Sequence, residues 1–470
     1  MPAEPAAAPV EIPLRFVRRT ARRSALARLG DAMVRHRKVI VALQWVVIVA
    51  YAVLVALPAF LPLPPAGANM LNNLTLAAQF AFWGLWWPGV ILSTMLFGRV
   101  WCGVLCPEGA LAEFASRHGR GGAITRWVRW RGWPLLAFVA TTVYGQLVSV
   151  YEYPQAALLV LGGSTVAAVA VGLAYGRGKR VWCRYLCPVS GVFALLARVA
   201  PVHFRVDRQA WAAYPERTPA VDCAPLLSVQ QMTGAAQCHA CGRCSGHRDA
   251  VTLSLRSPAA EIVATTPRDM GRVEAWLLIW GLCGVAIGAF RWSSDPWFVL
   301  WRQQWAGWVA EREWWWALDT NAPWWLLTHH PEVGDVFSWL DGAVILCYIA
   351  AVALVLGGTL QCAAWVAGNL SRRAWHVLSA AWIPAAGVGV FVGLSMLTQT
   401  QLRAEGVLLP WLGTARAVVL GLGFAASLVL SGTQLATAPV GVVRRALAWC
   451  VMAAPLALLG GAWWQQFWRV

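Results

Sequence analysis

The sequence predicts an all-α polytopic membrane protein with about nine transmembrane helices and one small hydrophilic segment, and three observations carry that prediction. Hydrophobic residues make up 59% of the 470 residues and charged residues only 13%, too few to cover the surface of a soluble domain of this size. Apolar runs of about 20 residues, the length of helix that a bilayer core requires, recur along the chain. The 38 lysines and arginines against 21 acids leave a net charge of +17, and the arginines cluster in the connections between the apolar runs. That placement is the positive-inside pattern of membrane proteins, and without a nucleic-acid-binding motif beside it the basic charge argues against nucleic acid as a partner.

The elements follow in chain order. Met1 to Pro13 is Ala/Pro-rich without apolar periodicity and reads as a mobile tail, within a basic region spanning 1–38 that carries Arg15, Arg18, Arg19, Arg22, Arg23, Arg28, Arg35, Arg37 and Lys38. No cleavable signal peptide is expected, because the first apolar run starts near Val39 and is long enough to span. Spans are expected near Val39–Phe60, Leu76–Phe97, Trp133–Val150 and Ala156–Tyr175, forming a duplicated four-helix core over 39–200. A hydrophilic segment over 201–272 follows, too poor in apolar residues for a large core of its own. The remainder, 273–470, is expected to be a C-terminal membrane domain with spans near Ala275–Phe290, Ala343–Gly368, His376–Leu397, Ala415–Leu435 and Leu447–Phe467. Its connection 291–341 is Trp-rich, with Trp297, Trp301, Trp305 and Trp308 at helical spacing, and reads as an amphipathic helix on the outer membrane surface rather than a docking surface.

Arginine asymmetry places the N-terminus in the cytoplasm, and alternation places Arg117–Arg131, Arg177–Arg208, Arg372/Arg373 and Arg444/Arg445 there too. The expected location is therefore a bacterial inner membrane, multi-pass, with the lipid bilayer as a partner and the cysteine motifs on the cytoplasmic side. Thiols stay reduced in that compartment, so clustered cysteines hold metal more often than they form disulfides.

One phrase is written twice. Arg99-Val100-Trp101-Cys102-Gly103-Val104-Leu105-Cys106-Pro107 and Arg180-Val181-Trp182-Cys183-Arg184-Tyr185-Leu186-Cys187-Pro188 share the pattern R-V-W-C-x-x-L-C-P and stand 81 residues apart, 102 to 183. Each closes a pair of spans, so the two units are expected to pack around a pseudo-two-fold axis and bring Cys102, Cys106, Cys183 and Cys187 together as one metal site. Pro after the second cysteine places Cys106 and Cys187 at or near helix N-caps. There the helix dipole, with Arg99, Lys179, Arg180 and Arg184 near by, is expected to lower the thiol pKa values. An iron–sulfur cluster, a copper or zinc ion, and a metal-free redox dithiol pair are all open occupants. Cys283, Cys347, Cys362 and Cys450 lie singly in apolar spans and read as packing residues.

A third group, Cys238-His239-Ala240-Cys241-Gly242-Arg243-Cys244, has the C-x2-C-x2-C spacing of bacterial iron–sulfur sites, but the fourth cysteine of that pattern falls on Arg248. Cys223, His247 or Asp249 could complete the set, or three irons could suffice; Cys223 is favoured, since the segment holds no other cysteine outside the triplet. Cys223, Cys238, Cys241 and Cys244 would therefore bind a cofactor, with 4Fe-4S ahead of an all-cysteine zinc site in which His239 or His247 could substitute for a thiolate. Segment 201–272 is thus a small cytoplasmic ferredoxin-type iron–sulfur segment. No matched histidine pair supports haem, and Glu152 at a span end reads as a hydrated interfacial carboxylate ahead of a quinol-site group. No acid–base or nucleophile constellation outside the cysteines marks a catalytic residue, so an enzymatic role extends only to that of an oxidoreductase component.

The two C-x3-C-P motifs at span ends, followed by the segment with Cys238, Cys241 and Cys244, resemble a family. It is the membrane-bound 4Fe-4S polyferredoxins related to the nitrous-oxide-reductase regulator, the membrane ferredoxin of periplasmic nitrate reductase and the cytochrome-oxidase accessory ferredoxin. The resemblance covers about residues 39–260. Members carry two complete four-cysteine ferredoxin motifs where this chain has one incomplete motif, and the C-terminal half is additional to the family core. The resemblance implies an iron–sulfur electron-transport protein that exchanges electrons with a quinone or a cytoplasmic donor and serves, through a redox partner protein, a respiratory metalloenzyme or its maturation. Two rival readings are a copper-handling or copper-reducing assembly factor using the C-x3-C thiolates, and a zinc-stabilised membrane sensor or transporter.

Overall fold

The computed structural model describes residues 24–65 and 67–468; the Ala/Pro-rich tail and the first five arginines of the basic region lie outside them. A short amphipathic helix, α1 (Ala25–Arg35), is capped by Ser24, whose hydroxyl accepts from the Ala27 amide. The first long helix, α2 (Arg37–Phe60), follows at once, and α3 (Leu74–Phe97) begins behind an Asn73 cap. Helix α3 leads into the first cysteine phrase. After the first phrase comes α4 (Pro107–His118), then α5 (Trp133–Leu147) and α6 (Pro154–Ala174); after the second comes α7 (Ser190–Val199).

Among the described residues, eight helices are long and apolar enough to cross a membrane, and the ninth expected span, α5, is only 15 residues. At about 1.5 Å per residue it falls short of the usual span length. It nevertheless runs the thickness of the bundle. The segment just before α5 is stitched to the end of α6 by Arg120 N–H to Leu173 O at 2.8 Å and Gly122 N–H to Ala174 O at 3.0 Å. The start of α5 and the end of α6 therefore share one level, and α5 must cover the distance that the 21 residues of α6 cover on the way back. A tight turn over 148–153, closed by Val150 N–H to Gly145 O at 2.9 Å, completes the journey.

The hydrophilic segment contains one antiparallel pair, β1 (Val202–Val206) with β2 (Val251–Leu255), registered Val202 to Leu255 and Val206 to Val251. Helix α1 lies on this pair: its Leu26 and Met33 pack into the small core of Phe204, Val229, Val251 and Leu253. The chain then forms α8 (Arg272–Arg291), α9 (Pro296–Glu311), a two-residue hairpin of β3 (His329–His330) and β4 (Asp335–Val336), and the long helices α10 (Trp339–Ser371), α11 (Trp375–Ala404), α12 (Leu412–Ala436) and α13 (Val442–Trp468).

Burial sorts the long helices. Only 11% of the apolar window of α2 is enclosed by protein, against 72% for α8 and 89% for α11, so α8 and α11 form the centre of the bundle and α2 its edge. The main core runs without a break from Val192, Phe193 and Leu196 of α7 into Leu278 and Leu282 of α8 and Trp382 and Ile383 of α11. The C-terminal half is therefore fused to the duplicated half through one apolar core. In the Trp-rich connection, α9 buries Phe298 and Val309 against α10 and leaves Trp297, Trp305 and Trp308 exposed, an arrangement suited to the membrane interface.

Candidate functional site

The two cysteine phrases repeat in backbone as they do in sequence. The amide of Cys106 donates to Trp101 O at 2.8 Å and that of Cys187 to Trp182 O at 3.0 Å. The amide of Gly103 donates to Arg99 O at 3.2 Å, and its counterpart Arg184 to Arg180 O at 3.1 Å. Each phrase is thus a wide helical turn that ends on its second cysteine. Cys106 caps α4, and its sulfur accepts from the Gly109 amide at 3.4 Å. Cys187 departs from the expected N-cap: a turn through Pro188 and Val189 intervenes before α7, whose N-cap is Val189. Its carbonyl, rather than its sulfur, receives the Ser190 amide at 3.2 Å.

The thiols converge. A methyl group built on Gly109 would sit 3.3 Å from Sγ of Cys183 and 3.5 Å from Sγ of Cys106, so one thiol from each phrase faces that point. Cys102, Cys106, Cys183 and Cys187 all line one end of a cavity of about 240 Å³, whose walls include Phe82, Trp83, Trp86 and Trp87 of α3. The C-terminal half closes it with Leu282, Ala286 and Phe290 of α8 and Val390 and Leu394 of α11. Glu108 also faces this cavity, accepting from the Trp182 indole at 3.2 Å. Burial holds its carboxyl above the ordinary range, although bonds from Ser164 and Trp182 oppose the shift.

The repeated arginines cross over. Arg180, of the second phrase, donates from Nη1 to Cys102 O in the first. Arg99, of the first, donates to Ser190 Oγ at 2.9 Å, and Ser190 in turn donates to Cys183 O at 2.6 Å. Each phrase therefore secures the other's leading cysteine. Both guanidiniums are almost wholly buried.

The same elements hold the ferredoxin-type segment. Arg99 donates to Ala236 O at 3.2 Å and Arg184 to Gln237 Oε1 at 3.2 Å, just ahead of Cys238. Gly103 lies directly against the loop: a Cβ there would stand 2.0 Å from His239 O and 2.8 Å from Cys241 N, a contact that only glycine allows. Glu113 of α4 is the electrostatic link. It accepts from Arg180 Nε at 2.9 Å, from Arg117 Nη2 at 2.8 Å and from Arg243, which stands between Cys241 and Cys244, while Arg37 lies 3.8 Å away. Burial raises its pKa, but Arg180 and Arg243 outweigh that and hold the carboxyl at about 2.

The structure brings Cys223 to the triplet: Cys223, Cys238, Cys241 and Cys244 lie within mutual electrostatic range. Cys238 Sγ accepts from the Ala240 amide at 3.4 Å, and Ala240 takes a left-handed conformation, φ +47°, that turns that amide inward. Of the other candidates for a fourth ligand, His247 packs on the Trp211 indole at 5.0 Å; Arg248, where the ferredoxin pattern places its fourth cysteine, donates to Thr218 at 2.8 Å with its guanidinium over the same indole.

One expectation is overturned. Burial pushes the Cys106 and Cys187 thiols well up and Cys183 up to about 12, with Arg180 and Arg99 only partly opposing it at Cys183. Cys238 is likewise raised to about 12. Loss of water outweighs the helix terminus and the arginines. A buried thiol of this kind ionises less readily than one in water. Among the described residues, no group of three or more His, Cys, Asp or Glu side chains is arranged to hold a metal ion. Amides nevertheless donate to the Cys106 and Cys238 sulfurs, as they do to the cysteine sulfurs of iron–sulfur sites.

The fold and site thus define a helical membrane protein with paired cysteine centres at one end of its bundle. The family described as 4Fe-4S binding domain matches residues 79–134 and 159–207, the two halves that carry Cys102/Cys106 and Cys183/Cys187. The chain is 24% identical over 239 residues to the putative electron transport protein YccM of Escherichia coli, covering 43% of this chain and 65% of that one. It is 28% identical over 211 residues to the regulatory protein NosR of Pseudomonas aeruginosa, covering 40% of this chain and 29% of that one. The chain thus spans under two thirds of the length of either relative, and no solved structure matches. Over these residues the chain is similar to membrane-bound 4Fe-4S proteins.

Two predictions follow from the contact between the centres. Gly103→Ala forces the Cys238–Cys244 loop away, so the variant should retain the helical bundle by circular dichroism but lose iron bound by the loop. Glu113→Gln removes a carboxylate held below its ordinary value of 4.5, a stabilisation of about 3 kcal/mol. Because the folded value is depressed, that stabilisation is fully present above pH 4.5 and is lost as pH falls toward 2. The difference in thermal unfolding between wild type and Glu113→Gln should shrink over that interval.

Proposed function

We propose that this protein is a membrane-bound iron–sulfur electron carrier in which Cys102, Cys106, Cys183 and Cys187 hold one cluster and Cys223, Cys238, Cys241 and Cys244 hold another. The observation that carries the reading is the seam at Gly103, where the backbone next to Cys102 lies against the backbone of Cys241. A cluster, when bound, supplies a one-electron carrier at each set. The chain's own residues do the rest. Arg99 and Arg180 fix the two phrases against each other, Glu113 ties Arg180 to Arg243, and the apolar walls keep water from the inner set.

The aromatic cavity beside the inner set suits a flat, apolar two-electron carrier, and a quinone is the carrier we assign to it. Electrons would then pass from the cavity to Cys102 and its partners and on, across the Gly103 seam, to the outer set and a redox partner protein. The arginine-rich connections support a cytoplasmic cysteine end. The name of one relative, a putative electron transport protein, supports a redox partner, and a respiratory metalloenzyme or its maturation machinery is the partner we assign.

Metal and sulfide analysis with EPR on anaerobically purified protein tests this. Iron with acid-labile sulfide at about two cubanes' worth per chain is expected. Copper or zinc without sulfide would replace the reading with metal handling. Cys223→Ser should lower iron as much as Cys241→Ser does, and unchanged iron would remove Cys223 from the set. Cys102→Ser with Cys183→Ser should abolish electron transfer while leaving the signal of the outer set in place.

A further inference from the structure

Three adjoining cavities run from the cysteine quartet to the opposite end of the bundle. The central cavity shares Phe82, Trp83, Val150 and Tyr151 with a void of about 20 Å³. That void has room for a single water. Its far wall, formed by Pro58, Thr75, Tyr153 and Pro154, is shared with a third cavity of about 160 Å³ that carries His330 and Glu332. By contrast, the cleft beside Cys241 at the cysteine end shares no lining residue with the central cavity.

The series ends in a built acid–base cluster. The ring of Tyr153 stacks on His330 with centroids 3.6 Å apart at 15°, and its hydroxyl donates to Asp335 Oδ2 at 2.7 Å. His330 Nδ1 lies 3.3 Å from Glu332 Oε1. Glu152, from the turn, and His329, from the hairpin, are the other titratable groups facing this cluster. The hairpin β3–β4 is clasped to the turn by Thr328 N–H to Leu147 O at 2.8 Å and by Ser149 Oγ to Thr328 Oγ1 at 2.7 Å. None of these residues has a part in holding the cysteines.

We propose that the protein separates charge across the bundle: a quinol oxidised in the central cavity passes its electrons to the cysteine end, and its protons leave at the opposite face through Tyr153, His330 and their carboxylates. The inference rests on the quinone reading above. Oxidation of one quinol to quinone breaks two O–H bonds and releases two electrons and two protons. The electrons enter the iron–sulfur centres one at a time, and the protons pass by water and Tyr153 to the His330 cluster.

The test uses cluster-loaded protein in liposomes with a pH dye in the lumen, a short-chain quinol, and ferricyanide outside. Ferricyanide does not cross the bilayer and takes one electron and no proton, so every proton counted comes from quinol. Molecules with the cysteine end outward should reduce two ferricyanides and deliver two protons to the lumen for each quinol oxidised. Protons appearing on the ferricyanide side would overturn the proposal. Tyr153→Phe with His330→Gln should slow lumenal acidification about tenfold or more. Iron content and quinol quenching of tryptophan fluorescence should stay as in wild type, and an unslowed variant that retains both would overturn the route. Quinol that neither quenches fluorescence nor is oxidised by iron-loaded protein would instead remove the quinone reading, and the route with it.

Discussion

One buried carboxylate organises the cysteine end of this molecule. Glu113 stands among Arg37, Arg117, Arg180 and Arg243, contributed by α2, α4, the second cysteine phrase and the ferredoxin-type loop. Four cations could not be gathered there without an anion at their centre, and removing one partner of such a buried pair typically costs about 3–5 kcal/mol. The placement matters because Arg180 also fixes Cys102 and Arg243 stands inside the Cys241–Cys244 loop. A single ion network therefore sets the position of both cysteine sets at once.

Around that node the duplication is used asymmetrically. Arg99 and Arg180 exchange across the pseudo-axis, each reaching the other repeat's leading cysteine. Position 103 is glycine in one copy and its counterpart 184 is arginine in the other. The glycine lets the loop backbone approach to contact, and the arginine reaches Gln237 at the loop's entrance. Two similar halves thereby grip one unpaired segment. A perfectly symmetric pair would offer the loop either two close seams or none.

The C-terminal half, which lies beyond the residues matched by the 4Fe-4S family model, walls the cavity. Leu282, Ala286 and Phe290 of α8 and Val390 and Leu394 of α11 face the space beside the cysteine quartet. Enclosure also explains the thiol chemistry. The more completely water is excluded from Cys106, Cys183 and Cys187, the less readily their thiols ionise.

The sequence by itself determined the helices and the cysteine pairs. Apolar length and the 3.6-residue period are local properties, and eight expected spans appear as long apolar helices with ends shifted by a few residues. The ninth, α5, was legible as an apolar run but not as a 15-residue helix completed by a turn, because the stitching of Arg120 and Gly122 to the end of α6 is long-range. The repeated phrase announced two related cysteine turns, and the proline after each announced a break. Only the tertiary structure decided that Cys187 lies two residues before its helix cap and that Arg99 and Arg180 cross over. Composition likewise pointed to lowered thiol pKa values, because charged neighbours are visible in sequence whereas the exclusion of water is not. Burial is a property of the assembled bundle, and at this site it outweighs every local charge.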